Sequence, residues 1–215
     1  MTDERVSGLA LITGSVAGII TMSLHPTGHE LFEPGRFAAV AHMAIAVHAL
    51  ALVSLPVLFL GAVGLSRRLG GTMLSTAGLT AYAFAAVATM NAAVASGLVA
   101  PVIGREILQA ASPTLEVWKL LFHYNSAVNQ AFAMVYVVAS SAALVLWSSA
   151  ILSTRSLPRG VAIYGCVLGP LTVFAMHIGH LRLDVHGFGM IILSQAAWFI
   201  TAGILLMRSH APMTS

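Results

Sequence analysis

Residues 37–70 read FAAVAHMAIAVHALALVSLPVLFLGAVGLSRRLG, an apolar run that ends in a pair of arginines, Arg67 and Arg68. Before that pair the run contains no Asp, Glu, Lys or Arg. A helix needs about 20 predominantly apolar residues to cross the hydrocarbon core of a bilayer. Because backbone N–H and C=O groups in lipid must be hydrogen-bonded within their own segment, this run is predicted to be a membrane-spanning helix.

The same pattern recurs along the chain, where short charged turns separate long apolar runs. Hydrophobic residues make up 58% of the sequence and charged residues 8%, against about 25% charged residues in soluble domains. The mean hydropathy is +0.91. We therefore predict an all-α polytopic membrane helix bundle that forms a single transmembrane domain over residues 1–215. The six predicted spans are Val6–Leu24, Phe37–Leu65, Thr72–Val99, Leu121–Leu152, Gly160–Leu181 and Gly187–Met207.

The distribution of Lys and Arg predicts the orientation of the bundle. Cytoplasmic loops carry an excess of these residues. With six spans, the side that holds both termini has Arg5, Arg67, Arg68, Arg155, Arg159 and Arg208. The opposite side has Arg36, Arg105, Lys119 and Arg182. The asymmetry predicts cytoplasmic N- and C-termini and a multi-pass protein of the inner (cytoplasmic) membrane.

The connection between the third and fourth spans is the longest one. Ser112 followed by Pro113 has the pattern of a helix N-cap and first helical position. We expect an interfacial helix on the outer side that starts near residue 112 and contains Trp118, a residue typical of the membrane interface. This helix either bends into the fourth span or runs straight into it.

Composition also excludes several functions. The basic residues form no contiguous patch, so nucleic acid is not an expected partner. A single cysteine, Cys166, excludes an intrachain disulfide. The chain has no phosphate-binding loop, dinucleotide-binding or catalytic-serine motif. The bilayer itself and a small apolar or lipid-like ligand are the expected partners, and the sequence leaves the oligomeric state open.

Histidines concentrate at one end of the predicted bundle. Ionisable side chains at membrane depth are expensive and commonly functional. Eight of the nine histidines fall at the outer ends of the spans, and only His210 falls at the other end. The eight are His25, His29, His42, His48, His123, His177, His180 and His186. The inner half of the bundle carries almost no polar residues, so we predict a polar cavity that opens to the outside.

Helical rise and spacing select the candidate residues. His48 lies twelve residues after Arg36, or roughly 18 Å along a helix, which places it well inside the apolar layer. His177, His180 and Asp184 follow at intervals of three and four and form one stripe. The predicted ligand or metal pocket comprises His42, His48, Asn91, His123, Asn129, His177, His180 and Asp184. His25, His29 and His186 are interpreted as solvated loop residues.

Neutral imidazole is the commonest metal ligand, and His with Asp suits zinc or iron. The metal ligands are therefore predicted to be His48, His177 and His180. A b-type haem would instead need two axial histidines from different spans, such as His48 with His177 or His180. The segment that contains His25, His29 and Glu30 is a further donor set, but Pro26 and Gly28 make it a turn.

Three functions remain open from these residues. One is a membrane redox or metalloenzyme that acts on a lipid or a quinone-like substrate. The second is a carrier of a small molecule or an ion, with hinges at Pro56 and Pro170. The third is a structural or assembly protein without a site, in which the polar residues only hydrogen-bond between helices or lie at the interface.

Three segments resemble bacterial six-helix inner-membrane proteins of unknown function: TMSLHPTGHELF (21–32), HYNSAVNQAFA (123–133) and LPRGVAIYG (157–165). The resemblance covers most of the chain and implies the six-span topology, but it implies no activity. The H-x-x-H spacing faintly resembles the histidine boxes of membrane di-iron desaturases and hydroxylases. Those boxes have doubled histidines and face the cytoplasm, and neither feature is present. Intramembrane metal hydrolases related to ceramidases and adiponectin receptors are similarly distant, since they have seven spans.

Overall fold

The computed structural model describes residues 2–27 and 35–208, and within these ranges the chain contains helices and no β-strand. The helices are α1 (Asp3–Ser23), α2 (Phe37–Arg68), α3 (Met73–Val94), α4 (Ala100–Gln109), α5 (Thr114–Thr154), α6 (Arg159–His177) and α7 (Val185–Arg208). A π-helical segment, Ala95–Val99, joins α3 to α4 without a break. Counting α3–α4 as one, the described ranges contain six helices long and apolar enough to cross a membrane. The predicted all-α membrane bundle is confirmed, whereas the side that each end faces stays a prediction.

The six spans close into a ring in chain order. α1 packs against α2, α2 against α3, α3 against α5, α5 against α6, α6 against α7, and α7 returns to α1. The contact between α6 and α7 is the least extensive around this ring. Spans that follow each other along the chain run in opposite directions. The ring has two ends, which we call the histidine end (residues 24–27, 35–36, 110–113 and 178–184) and the termini end (residues 69–72 and 155–158).

Glycine residues allow α1 and α7 to approach each other closely. A Cβ atom on Gly203 would lie 2.7 Å from the carbonyl oxygen of Gly8, so only glycine fits. Without a hydrophobic driving force between helices in lipid, such close backbone packing is a main source of helix association. At the termini end, an ion pair between Arg68 and Glu4 (3.2 Å) adds a polar contact between α2 and α1.

Side chains fill the termini half of the ring. Trp147 of α5 stacks on Trp198 of α7 with ring centroids 6.0 Å apart, and Tyr82 and Phe199 pack beside them. The indole N–H of Trp147 donates to the Ser66 hydroxyl at 2.9 Å. We call Tyr82, Trp147, Trp198 and Phe199 the aromatic cluster. The termini half therefore contains buried polar groups that are hydrogen-bonded, in contrast to the predicted near absence of polar residues there.

α4 and the first turns of α5 form a hairpin that extends past the other spans at the histidine end. α5 has 41 residues, or about 60 Å at 1.5 Å per residue, against about 40–45 Å for a bilayer with its headgroups. The predicted interfacial segment around Trp118 is part of this continuous helix. Of the two predicted alternatives, the segment therefore runs straight into the fourth span. The first helical residue is Thr114, and Ser112 and Pro113 form the preceding turn rather than the helix start.

Proline explains the change of helix type in the third span. Pro101 has no N–H to donate to the carbonyl of Gly97, and its ring would collide with that carbonyl in a regular α-helix. The π-helical segment lies directly before it, and Ala100 donates to the carbonyl of Ala95, five residues back. Pro56 and Pro170 lie inside α2 and α6, which continue through them.

Candidate functional site

A cavity of about 740 Å³ occupies the histidine half of the ring, above the aromatic cluster. Residues of α1, α2, the α3–α4 span, α5 and α7 line it, whereas α6 contributes none. Most of its accessible wall area is apolar, although nearly half of the lining residues carry a polar side chain. The exposed residues that line it, such as Gln130 and His186, lie at or near the histidine end, so the cavity opens there. Tyr82 and Phe199 form its floor.

Two histidines meet in the wall of the cavity. The Nε2 atom of His25 lies 3.1 Å from the Nε2 atom of His48. His25 follows the end of α1 by two residues, and His48 lies on α2 with 5% of its surface exposed. The Nδ1 atom of His25 is 2.8 Å from the carbonyl oxygen of Pro26, and the Nδ1 atom of His48 is 2.6 Å from that of Ala44. Burial lowers the pKa of His25, and the bond to Pro26 partly opposes this effect.

The π-helical segment holds His48 in place. A Cβ atom on Gly97 would overlap the Cβ and Cγ atoms of the His48 side chain, so the backbone of the segment lies directly against that side chain. The Asn125 amide of α5 donates to the carbonyl of Ala95 at 2.9 Å and ties the segment to α5. π-Helical turns inside α-helices are frequent at functional sites.

A hydrogen-bonded chain crosses the ring at mid-depth. The Tyr136 hydroxyl donates to Oε1 of Gln195 at 2.7 Å, and Nε2 of Gln195 donates to the Ser140 hydroxyl at 2.9 Å. Gln195 is 2% exposed, and both it and Tyr136 line the cavity. Asn129, about two turns from Tyr136 on α5, also lines the cavity.

One buried hydroxyl in the cavity wall has no partner. Ser15 of α1 is 3% exposed, and its Oγ atom makes no hydrogen bond to any residue that the structure describes. Other hydroxyl groups of α1 have partners: Ser7 donates to Asp3, Thr13 to Leu9 and Ser23 to Ile19 on the same helix, and Thr21 donates to Val47 of α2. Ser15 therefore holds an unused donor and acceptor within the wall of the cavity.

The turn between α6 and α7 forms part of the mouth. Asp184 caps α7 by accepting the N–H of Gly187 at 2.9 Å, and this bond is the main reason why the pKa of Asp184 is lowered. Arg182 and His186 add positive charges that lower it further. Gln130 of α5 donates to the carbonyl of Leu183 at 3.0 Å and fastens the turn to the bundle.

The structure brings only part of the predicted pocket together. His48, Asn129 and Asp184 line the cavity. The other predicted residues are exposed and do not line it. These residues are His42, Asn91, His123, His177 and His180. Asn91 turns its amide back to its own helix and donates to the carbonyl of Val87 at 2.8 Å.

The predicted ligand sets for a metal or haem do not assemble. His177 and His180 lie at the end of α6 and beyond it, outside the cavity wall that holds His48. Among residues 2–27 and 35–208, no three His, Cys, Asp or Glu side chains come close enough to hold a metal ion. Axial haem ligands would stand about 4 Å apart at metal–nitrogen bonds of about 2 Å, so the 3.1 Å between His25 and His48 is too short for haem iron. His29, Glu30 and His210 lie outside the described residues.

His25 is the functional candidate that sequence reasoning missed. The sequence places His25 in a loop between the first two apolar runs, which predicts a solvated side chain. His25 lies beside His48 because α2 extends about three turns past the end of α1, and no pattern within a single helix contains that offset. His186 was likewise placed in a loop, and it lines the mouth of the cavity.

A scan against protein-family models, a search of curated proteins and a search of solved structures each found nothing that matches this chain. The likeness to bacterial six-helix membrane proteins remains a resemblance of three segments. What the chain does is therefore inferred from its own residues and their geometry.

Proposed function

We propose that this protein binds a small, mostly apolar molecule with a polar head in the histidine half of its membrane bundle. The observation that supports this proposal most is the cavity of about 740 Å³, whose accessible surface is mostly apolar although nearly half of its lining residues carry a polar group. Small-molecule sites have this character and span about 300–1,000 Å³. Under the predicted orientation, the site faces the outer leaflet.

The polar groups divide the cavity into regions that differ in chemistry. The His25–His48 pair lies near the loops, whereas Tyr136 and Gln195 lie deeper. Ser15 is on α1 about 15 Å from His25 at 1.5 Å per residue, and its hydroxyl is unpaired. A buried polar group without a partner costs about 1–3 kcal/mol. An occupant that offers a hydrogen-bonding group to Ser15 would recover this free energy, which favours an amphiphile over a pure hydrocarbon.

The closed floor favours binding or catalysis over transport. A carrier needs alternate access from both sides, but the aromatic cluster fills the ring below the cavity. Of the two candidate hinge prolines, Pro170 lies on α6, which does not line the cavity, whereas Pro56 directly follows Leu55, which does. The filled floor therefore supports a binding site with one mouth over a carrier.

Mass spectrometry of solvent extracts from the purified protein tests this proposal. The variant Gly18→Leu introduces a bulky side chain at the cavity wall, since Gly18 lines the cavity and a Cβ there meets only Ile192, at 3.7 Å. The matched control is Gly160→Leu, because a Cβ at Gly160 meets nothing within 4 Å and Gly160 lies outside the cavity. We expect one enriched small molecule, near one per protein, in the wild type and in the control, and its loss in Gly18→Leu. Equal amounts of bulk phospholipid alone in all three proteins would refute the proposal.

A further inference from the structure

We propose that His25 and His48 together bind one transition-metal ion of the zinc and copper type, which faces the cavity. This inference does not depend on the small molecule proposed above. It rests on the positions of four ring nitrogens and on the hydrogen bonds that fix two of them.

Hydrogen bonds to backbone carbonyl groups determine which ring nitrogen of His25 and of His48 carries the proton. The Nδ1 atoms of His25 and His48 lie 2.8 and 2.6 Å from carbonyl oxygens of Pro26 and Ala44. A carbonyl oxygen only accepts hydrogen bonds, so each Nδ1 carries a proton. In a neutral imidazole the other nitrogen, Nε2, then carries a lone pair. With the Nε2 atoms 3.1 Å apart and the ring centroids 4.7 Å apart, these lone pairs repel each other unless the two nitrogens share a proton or a metal ion.

The distance fits two ligands of one metal ion. With metal–nitrogen bonds of about 2.0–2.1 Å, two Nε2 atoms 3.1 Å apart subtend an angle of about 100° at the metal, close to the tetrahedral value. Imidazole nitrogens suit zinc, copper, nickel and iron. A metal-binding histidine almost always donates its other N–H to a carbonyl, carboxylate or water, which orients the ring. Both His25 and His48 show this arrangement.

The site is held rigid on one side and open on the other. The backbone at Gly97 lies against the His48 side chain, so the ring is confined before a metal arrives. No third His, Cys, Asp or Glu joins the pair within the described ranges. Both histidines line the cavity, so water or the head of a bound molecule would complete the coordination shell from that side. Open positions of this kind distinguish sites that exchange ligands from closed structural sites.

Metal titration of the purified full-length protein tests the proposal. The protein in detergent is stripped with a chelator and titrated with Zn²⁺ by calorimetry, and with Co²⁺ by visible absorption, which reports four-coordinate cobalt. The variants are His25→Gln and His48→Gln. The matched control is His42→Gln, which changes an exposed histidine of the same helix outside the cavity. Thermal melting without metal identifies any variant that fails to fold, and His25→Gln lies outside the helices.

We expect the wild type and His42→Gln to bind one equivalent of Zn²⁺, and His25→Gln to bind none. Gly18→Leu is expected to keep its metal while it loses the small molecule, so failures of the two proposals are distinguishable. Wild-type protein that takes up no Zn²⁺ or Co²⁺ overturns the inference. So does an affinity that His25→Gln leaves unchanged.

Discussion

The backbone of Gly97 lies directly against the His48 side chain, so that no Cβ atom fits between the π-helical segment and α2. An alanine at this position would push His48 away from His25 or widen the gap between the two spans. The glycine therefore determines where the imidazole lies. Residues that orient a metal ligand typically change metal affinity by about 10–100-fold when they are mutated.

We predict that Gly97→Ala weakens Zn²⁺ binding by at least about tenfold. The variant Gly160→Ala is the control, since it adds the same methyl group to a helix where nothing lies within 4 Å. Calorimetric titration of both variants checks the prediction. Equal Zn²⁺ affinities in Gly97→Ala and Gly160→Ala would show that the π-helical segment does not position His48.

Ser15→Ala is predicted to act in opposite directions on the empty and the occupied protein. In the empty protein the change removes a buried hydroxyl without a partner, so the free energy of unfolding stays the same or rises by about 1 kcal/mol. In the occupied protein it removes a hydrogen bond to the bound molecule, so less of that molecule copurifies.

Thermal melting and quantitative mass spectrometry measure the two effects of Ser15→Ala separately. Ser23→Ala is the matched control on α1, because Ser23 is exposed and donates to its own helix at Ile19. It should leave the copurified amount unchanged. If Ser15→Ala leaves ligand retention at the wild-type level, Ser15 does not contact the occupant. If Ser15→Ala destabilises the empty protein, the Ser15 hydroxyl has a partner within the protein.

The Tyr136–Gln195 bond is predicted to couple α5 to α7. Tyr136→Phe removes the donor and leaves Oε1 of a buried glutamine unsatisfied. Hydrogen bonds between membrane helices contribute about 0.6 kcal/mol on average and up to about 1.7 kcal/mol. Because both side chains are buried, we expect a coupling energy in the upper part of this range.

A double-mutant cycle of Tyr136→Phe and Gln195→Met, followed by unfolding in increasing concentrations of SDS, measures that coupling. Tyr164→Phe is the control, since Tyr164 also donates to α7, at the carbonyl of Ser194, but from an exposed position. Its effect on stability should be smaller. Strictly additive effects of Tyr136→Phe and Gln195→Met would show that the bond adds nothing to the packing of the two helices.

The helical fold was predictable because a long apolar segment in lipid satisfies all its backbone hydrogen bonds as a helix. The number of spans followed from the composition and length of these segments. Depth was harder to predict. The count of twelve residues from Arg36 placed His48 deep in the bilayer, but α2 extends past the end of α1 by about three turns. His48 is therefore level with His25, just beyond the end of α1. Helical rise gives the distance of a residue from the end of its own helix. Its depth in the bundle also depends on where the neighbouring helices end.

The site was predictable in part for a related physical reason. Spacing along one helix places His177, His180 and Asp184 on one stripe, but it does not say which neighbour that stripe faces. α6 lies in the ring where it contributes nothing to the cavity, so His177 remains exposed. Asp184 reaches the cavity because it belongs to the turn and to the cap of α7. Packing between helices determines which neighbours each span contacts in the ring. The residue pattern of a single helix does not contain this information.

Acid is predicted to weaken the cap that Asp184 forms at the start of α7, at the mouth of the cavity. The bond from Gly187 lowers the pKa of Asp184 below its ordinary value of 3.8, so the folded state favours the carboxylate. The stabilisation is thus fully present above about pH 4 and is lost as the pH falls through the lowered pKa. We expect protection factors for amide exchange at residues 185–188 to fall in this window, as measured by mass spectrometry. Asp184→Asn keeps an oxygen that accepts the Gly187 N–H but has no carboxyl to titrate, so its protection factors should stay constant there. The same loss of protection in Asp184→Asn would assign the acid sensitivity of the mouth to another group.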